Sequence, residues 1–302
     1  MHYPILEKLW QRAIYPETRQ NTSTWNEEIE ALYRLGISME DTLHYLYFEK
    51  PALNDFLDWL SQKKKDTPLI TDEIENVLSA ADLEFWEKNG YIIINDAVSK
   101  EDCKATQQAI WNFLDAAPQD KQSWYKKHEQ QKGLMLNFSD HETLNRNRQS
   151  PRIRKAYEQL YRSTDIYKTI DKVSFNPPET DSYRFMGSPL HWDLSLKLPA
   201  PLSLQGLLYL TDCGPEDGAF HCVPGFHNII ESWLHQLAPD ENPREKAPAT
   251  LHPIPITANA GDFIIWDARL PHCASSNSGT LPRMVQYLTY LPNNYKAADE
   301  WL

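Results

Sequence analysis

From residue 183 onward the sequence breaks into short apolar runs cut by Pro, Gly, Asn and Asp. The clearest runs are "YRFMG", "LQGLLYLTD", "GAFHCVPG", "HPIPITANAGDFIIWD" and "RMVQYLTYLP". They are bounded by turn residues and rich in residues that suit a pleated surface. Many short strands at roughly regular spacing, separated by turn residues, predict a sandwich or barrel for the second half of the chain. Twenty-one Pro against ten Gly fit fixed turns and few long helices there.

The first 80 residues read differently. "TSTWNEEIEALYRLG" has an N-cap candidate at Ser23 or Thr24, an apolar stripe at Trp25, Ile29, Leu32 and Tyr33, and a stop at Gly36. "SMEDTLHYLYFEK" begins with Ser38 and Asp41 in capping-box spacing and ends before Pro51. "ALNDFLDWLSQKKK" aligns Leu53, Phe56, Leu57 and Leu60. Residues 1–78 are thus expected to be helical, either a layer packed on the rest of the chain or a small module. Residues 79–302 are expected to form the main domain. It opens with a capped helix "SAADLEFWEKNG", a buried strand "YIIIN" and a helix started by Ser99. Residues 117–150 are polar and irregular, with "GLMLNF" as a possible strand and a lid as one use for the segment.

Charge and composition exclude several classes. The net charge is −12, and a phosphate backbone is bound through clustered Lys and Arg, so nucleic acid is not expected as a partner. Lys63, Lys64 and Lys65 read as a solvated helix end. Cys103, Cys213, Cys222 and Cys273 form no CxxC pair, which suits reduced thiols. The N-terminus lacks the apolar core of a signal peptide, and no window approaches 18 uninterrupted apolar residues. A soluble, cytoplasmic protein with no membrane partner is expected. Ten Trp and fifteen Tyr suit apolar pockets.

Within the β-rich half lies "SPLHWDLS". On an extended strand residues i and i+2 point to the same side, so His191 and Asp193 can aim at one point. An imidazole and a carboxylate make two thirds of a non-haem iron(II) site. Further on, "GDFIIWDARLPHCASSNSGTLPR" offers His272 and, eleven residues later, Arg283. His221, Cys222 and His227 lack the paired spacing of a structural zinc site and read as structural.

These pieces together resemble the phytanoyl-CoA dioxygenase family of Fe(II)- and 2-oxoglutarate-dependent oxygenases. "FWEKNGYIIIN" is similar to its N-terminal helix, Gly and strand. "LHWD" is similar to its HxD box, "LLYLTDCGPEDGAFHCVPGFH" to its strand, acidic turn and Pro-Gly-x-His element, and "GDFIIWDARLPHCASSNSGTLPR" to its distal His and Arg. The resemblance covers about residues 80–292. It implies an α+β fold: a double-stranded β-helix, the jelly-roll variant of cupin-like proteins, with flanking helices. It also implies Fe(II) held by His191, Asp193 and His272, with Arg283 gripping the far carboxylate of 2-oxoglutarate. The planar fork of Arg suits that task. O2 is the second cosubstrate, and ascorbate is an aid in vitro.

In halogenating relatives the carboxylate position is Ala or Gly; here Asp193 favours hydroxylation or a related oxidation. Gln205, Tyr183 and Arg184, on strands beside the metal box, are further candidates for cosubstrate contact. Trp192 should point away from the metal, while Ser276 and Asn277 read as turn residues. Related enzymes often place Ser two residues after the Arg, where this chain has Val285. The expected reaction is oxidation of an unactivated C–H of a small molecule, natural-product or amino-acid-derived. Basic residues clustered near the site, as a coenzyme A phosphate clamp would need, are not expected. The alternative is a catalytically silent ligand-binding or regulatory protein of the same fold. Oligomeric state is not legible.

Overall fold

The computed structural model describes residues 3–18, 24–64, 74–185, 188–293 and 295. Ser23, Lys65, Met186 and Gly187 lie outside the described residues. The chain mixes helices with antiparallel sheets.

Four helices come first: α1 (Pro4–Ile14), α2 (Trp25–Arg34), α3 (Met39–His44), prolonged by a π-helical turn over Tyr45–Glu49, and α4 (Leu53–Lys63). Ser38 caps α3, its Oγ accepting the Asp41 N–H and donating to the Asp41 carboxylate. Thr24 caps α2 by position without a side-chain bond. The apolar stripes of these helices meet in their own core, built on Leu6, Leu9, Leu32, Leu46, Phe56 and Leu60.

Next come α5 (Ala80–Asn89), β1 (Tyr91–Ile94), α6 (Lys100–Phe113), β2 (Gln131–Lys132), β3 (Met135–Leu136), α7 (Glu142–Asn147), α8 (Pro151–Tyr161), β4 (Ile166–Lys168) and β5 (Val173–Asn176). They are followed by β6 (Ser188–His191), β7 (Leu204–Tyr209), β8 (Phe220–Cys222), α9 (Ile230–His235) and α10 (Pro243–Thr250). The last strands are β9 (Ile254–Ile256), β10 (Phe263–Asp267), β11 (His272–Ala274), β12 (Arg283–Tyr287) and β13 (Tyr290–Pro292). A seven-stranded sheet runs β1-β10-β7-β12-β5-β3-β2, and a four-stranded sheet runs β6-β11-β8-β9.

Strand alternation decides what each face meets. In β10, Phe263 and Ile265 join the core formed with α6 and α8, beside Ile110 and Tyr157. Ile264 and Trp266 point the other way, into a second core with Phe220 of β8 and Ile256 of β9. The large sheet is therefore buried on both sides, by helices and by the small sheet. That is why "FIIWD" carries no polar alternation. Each fully buried Ile or Phe contributes about 1.5–3 kcal/mol through area removed from water.

Three local expectations need correction. Residues 117–150 are not wholly irregular: β2 and β3 form a hairpin that extends the large sheet, and α7 follows. β3 falls within the possible strand "GLMLNF", whereas the two residues of β2 show no periodicity to read. The β-rich half also holds α9 and α10. In α10 the signal was present, since Asn242 accepts the Arg244 N–H and Pro243 occupies the first turn. The described part of "YRFMG", residues 183–185, is not a strand.

The helical unit and the sandwich meet along a mostly polar seam. Ser139 Oγ donates to Asp41 at 2.8 Å, Lys63 pairs with Asp140 at 2.9 Å, Lys172 pairs with Glu40, and the Arg34 guanidinium lies 5.1 Å from the Tyr167 ring centre.

All four cysteines are free thiols. Burial pushes Cys103 and Cys222 up to about 12 and Cys273 to about 11, and also raises Cys213. A thiol held this far above neutrality is a poor nucleophile. Ellman's reagent at about pH 8 should label none of them quickly in the native protein and all after unfolding; a fast-reacting native thiol would contradict this burial.

A candidate metal centre

Strands β6 and β11 pair so that His191 and His272 stand directly opposite one another. Asp193 lies just past β6. Its Oδ1 is 3.5 Å from His191 Nε2 and its Oδ2 is 3.2 Å from His272 Nε2. One ligand atom from each residue falls within 4.8 Å of the other two, and this is the one such group found among the described residues.

The second nitrogen of each ring decides which one faces the site. His191 Nδ1 donates to the Pro189 carbonyl at 2.7 Å, and His272 Nδ1 donates to the Leu270 carbonyl at 3.1 Å. Both Nδ1 protons are thereby committed to main-chain carbonyls, so Nε2 is the nitrogen aimed at the centre: it donates to Asp193 when the ring is protonated and offers a lone pair to a metal when the ring is neutral. The Asp193 carboxylate is anchored in turn by Gln205 Nε2 at 2.9 Å, whose Oε1 accepts the Trp266 indole N–H at 3.0 Å. Burial works against the charged form of Asp193, but hydrogen bonds from His191 and His272 overcome it and hold the carboxyl well below the usual range. The hydrogen bond to Asp193 raises His191 above an ordinary imidazole despite opposing burial. Two neutral nitrogens and one carboxylate on one side of a point fit a divalent iron with open positions opposite.

The strand ends at His191, so period-two alternation alone does not place Asp193. Arg244, on the first turn of α10, completes the job. Its Nη1 donates to the Trp192 carbonyl at 2.8 Å and its Nη2 to the Leu194 carbonyl at 2.6 Å, one on each side of Asp193. Trp192 points away as expected, buried beside Phe226 and Trp233 with its indole N–H on the Arg269 carbonyl. Replacing Arg244 with Gln should weaken Fe(II) binding by about 10- to 100-fold, the usual effect of losing a group that orients a ligand. Competition with a coloured chelator would read this. An unchanged affinity would remove Arg244 from the site.

The centre opens into a cavity of about 510 Å³ whose walls include Leu207, Phe220, Trp266 and Arg283. Arg283 starts β12 on the same strand face as Val285, between the sheets, and is 2% exposed. Its Nη1 donates to the Gly218 carbonyl at 2.5 Å, and its buried Nε has no partner among the described residues. Gly218 has φ +76°, and a Cβ there would lie 2.4 Å from Asn176 Nδ2, so only Gly brings this carbonyl so close. Val285 is fully buried and offers no hydrogen bond.

The other sequence-derived residues divide. Gln205 lies at the centre, where it steadies Asp193. Tyr183 and Arg184 do not lie on a strand or line this cavity. A turn on Thr180, whose carbonyl and Oγ1 both accept the Tyr183 N–H, keeps that segment irregular. They line instead an adjoining cavity of about 860 Å³ that shares Met135, Ser188, Ala274 and Tyr287 with the first. Lys126, Lys127, Lys132 and His128 line it too, which overturns the expectation that no basic cluster lies nearby. A third cleft of about 750 Å³ runs between α2–α3 and the sandwich, sharing Asp171 and Lys172 with the metal cavity.

The residues read as structural act so. The carbonyl of Glu87 lies 3.2 Å from His227 Nε2, and the His227 ring sits where a Cβ on Gly90 would fall. Asn277 Nδ2 donates to the carbonyls of Asn176 and Leu281. Arg244 escaped the sequence reading because it works through main-chain carbonyls, which leave no side-chain pattern.

Residues 86–285 match the model of the Phytanoyl-CoA dioxygenase (PhyH) family, and the chain belongs to that family. Among relatives, a Dictyostelium discoideum protein provisionally named a phytanoyl-CoA dioxygenase is 22% identical over 261 residues, covering 70% of this chain and 75% of the relative. AviO1 from Streptomyces viridochromogenes Tue57 superposes with a TM-score of 0.53 at 18% identity, over 74% of this chain and 99% of AviO1. The epimerase SnoN, solved with Fe3+, alpha ketoglutarate and nogalamycin RO, gives 0.51 at 17% identity over 70% and 82%. At these identities the two structures establish likeness of fold. No described helix is long and apolar enough to cross a membrane.

Proposed function

We propose that this chain is an Fe(II)- and 2-oxoglutarate-dependent dioxygenase that oxidises an unactivated C–H of a small molecule, releasing succinate and CO2. The observation that carries the reading is one cavity holding both His191–Asp193–His272 and a buried Arg283 with no carboxylate partner among the described residues. The two packed antiparallel sheets with flanking helices support a double-stranded β-helix as the scaffold.

Fe(II) with bound 2-oxoglutarate and O2 supplies oxidative decarboxylation coupled to attack on a C–H bond. The protein's own residues supply position. His191 and His272 present Nε2 because their Nδ1 protons are committed to carbonyls. Asp193 stays charged, held by Gln205. Arg283 offers its fork to the distal carboxylate of the cosubstrate, which compensates a buried charge. Phe220, Leu207 and Trp266 keep water from the reacting positions. Asp193 fills the position that halogenating relatives leave open, so hydroxylation or a related oxidation is the chemistry proposed.

The test is succinate release by anaerobically purified protein given Fe(II), 2-oxoglutarate, ascorbate and air, with binding of both cofactors titrated on the same samples. Succinate formed only with Fe(II) supports the reading. Binding of neither cofactor would sink it and leave a ligand-binding or regulatory protein of this fold.

A further inference from the structure

The second cavity has a one-signed lining. Lys126, Lys127, Lys132, Arg184 and His128 face it, and among the described residues no Asp or Glu does. The chain as a whole carries a net charge of −12, so this concentration of cations runs against its composition. Two of the cations have weak neighbours: Lys126 is 3.8 Å from an exposed Asp115, and Arg184 is 4.0 Å from Glu179. Lys127 and Lys132 have no carboxylate partner among the described residues. Beneath the cations the wall is aromatic, with Trp124 buried and the rings of Tyr125 and Tyr183 5.3 Å apart. Met135, in the hairpin that also carries Lys132, separates this space from the metal cavity and lines both.

We infer that this cavity is the substrate's recognition subsite and takes an anionic group, a phosphate or a carboxylate. That group is borne on an apolar or aromatic body whose far end reaches the metal cavity. The inference deepens the proposed function and rests on it for calling the ligand a substrate. A single exposed cation is worth little against an anion in water. Several around one concavity, with no carboxylate to offset them, focus a positive field. Aromatic rings below add contact area for an apolar body. The volume also matters, because pockets of about 300–1,000 Å³ hold drug-sized ligands. A cavity of about 860 Å³ joined to one of about 510 Å³ has far more room than an unmodified amino acid would fill.

The test uses the full-length protein under argon with Fe(II) and saturating 2-oxoglutarate, which keeps Arg283 from acting as the anion site. 1-Naphthyl phosphate, 1-naphthoate and neutral 1-naphthol are titrated by calorimetry into wild type and into Lys127→Glu/Lys132→Glu. The same titrations are run on Lys127→Gln/Lys132→Gln. We expect at least one anion to bind roughly tenfold or more tighter than the neutral probe, and the Glu variant to erase that preference. The Gln variant should fall between. Preference for phosphate over carboxylate would identify a phosphorylated substrate, and equal binding of both a site that reads charge alone. Equal affinity for all three probes, or a preference that survives charge reversal, overturns the inference. The visible absorption of the Fe(II)–2-oxoglutarate complex is recorded first on each sample. Its absence would count against the proposed function, while the anion titration still judges the cavity. An unchanged melting temperature shows that both variants fold.

Discussion

Replacing Arg283 with Leu should leave Fe(II) binding intact and raise the KM for 2-oxoglutarate by a factor on the order of 10²–10³. Removing one partner from a buried ion pair costs about 3–5 kcal/mol, because the other charge is left in the interior without compensation. The cosubstrate carboxylate would be that charge. Stability should change little, since among the described residues the Arg283 side chain makes one hydrogen bond, to the Gly218 carbonyl, and its buried Nε has no partner. Leu conserves apolar bulk between the sheets. Lys restores charge but not the planar fork, so Arg283→Lys should recover only part of the affinity. Saturation curves for succinate release, paired with Fe(II) titrations, separate the outcomes. A KM within threefold of wild type would move the cosubstrate anchor elsewhere.

The second large effect belongs to Asp193. Asp193→Ala removes one of the three proposed ligand atoms and the acceptor that both imidazoles and Gln205 share. Fe(II) affinity should fall beyond the roughly 10- to 100-fold typical of losing an orienting group, and succinate release should disappear. Asp193→Asn separates shape from charge. It keeps an oxygen for Gln205 but cannot balance a dication, so it should resemble Ala in metal affinity and wild type in melting temperature. Retention of tight Fe(II) binding in either variant would show that the three residues are not the metal site.

The legible parts of this molecule were those in which chemistry and spacing coincide. His191, Asp193, His272 and Arg283 are residue types with few uses in apolar strands, and their order limits the folds able to gather them. "FIIWD" announced a strand, and its burial on both faces is set by the layers packed on it. Other parts were opaque for physical reasons. Tyr183 and Arg184 sit in a stretch that looks extended, but the turn on Thr180 is a contact between side chain and backbone with no periodicity. Helix α10 is hidden by Pro248 inside it. The basic cavity draws its cations from residues 126–132 and from Arg184, separated by more than fifty positions and joined only when the hairpin adds to the sheet. The aromatic content was right to suggest apolar pockets, and silent on where they lie.

The polar seam has a mechanical consequence. On one side the helices are held by Leu6, Leu32 and Phe56, on the other the sandwich by its two cores, and the pairs between them compete with water. Salt screens exposed pairs such as Lys63–Asp140, whereas salting-out anions tighten apolar cores. Rising concentrations of such salts therefore loosen the joint while stiffening both blocks it connects. The cleft along α2 and α3 touches the metal cavity at Asp171 and Lys172, and Lys172 is itself one partner of a pair across that joint. Substitutions along that joint can reshape the entrance while the His191–Asp193–His272 cluster, anchored by Arg244 and Gln205, stays as it is.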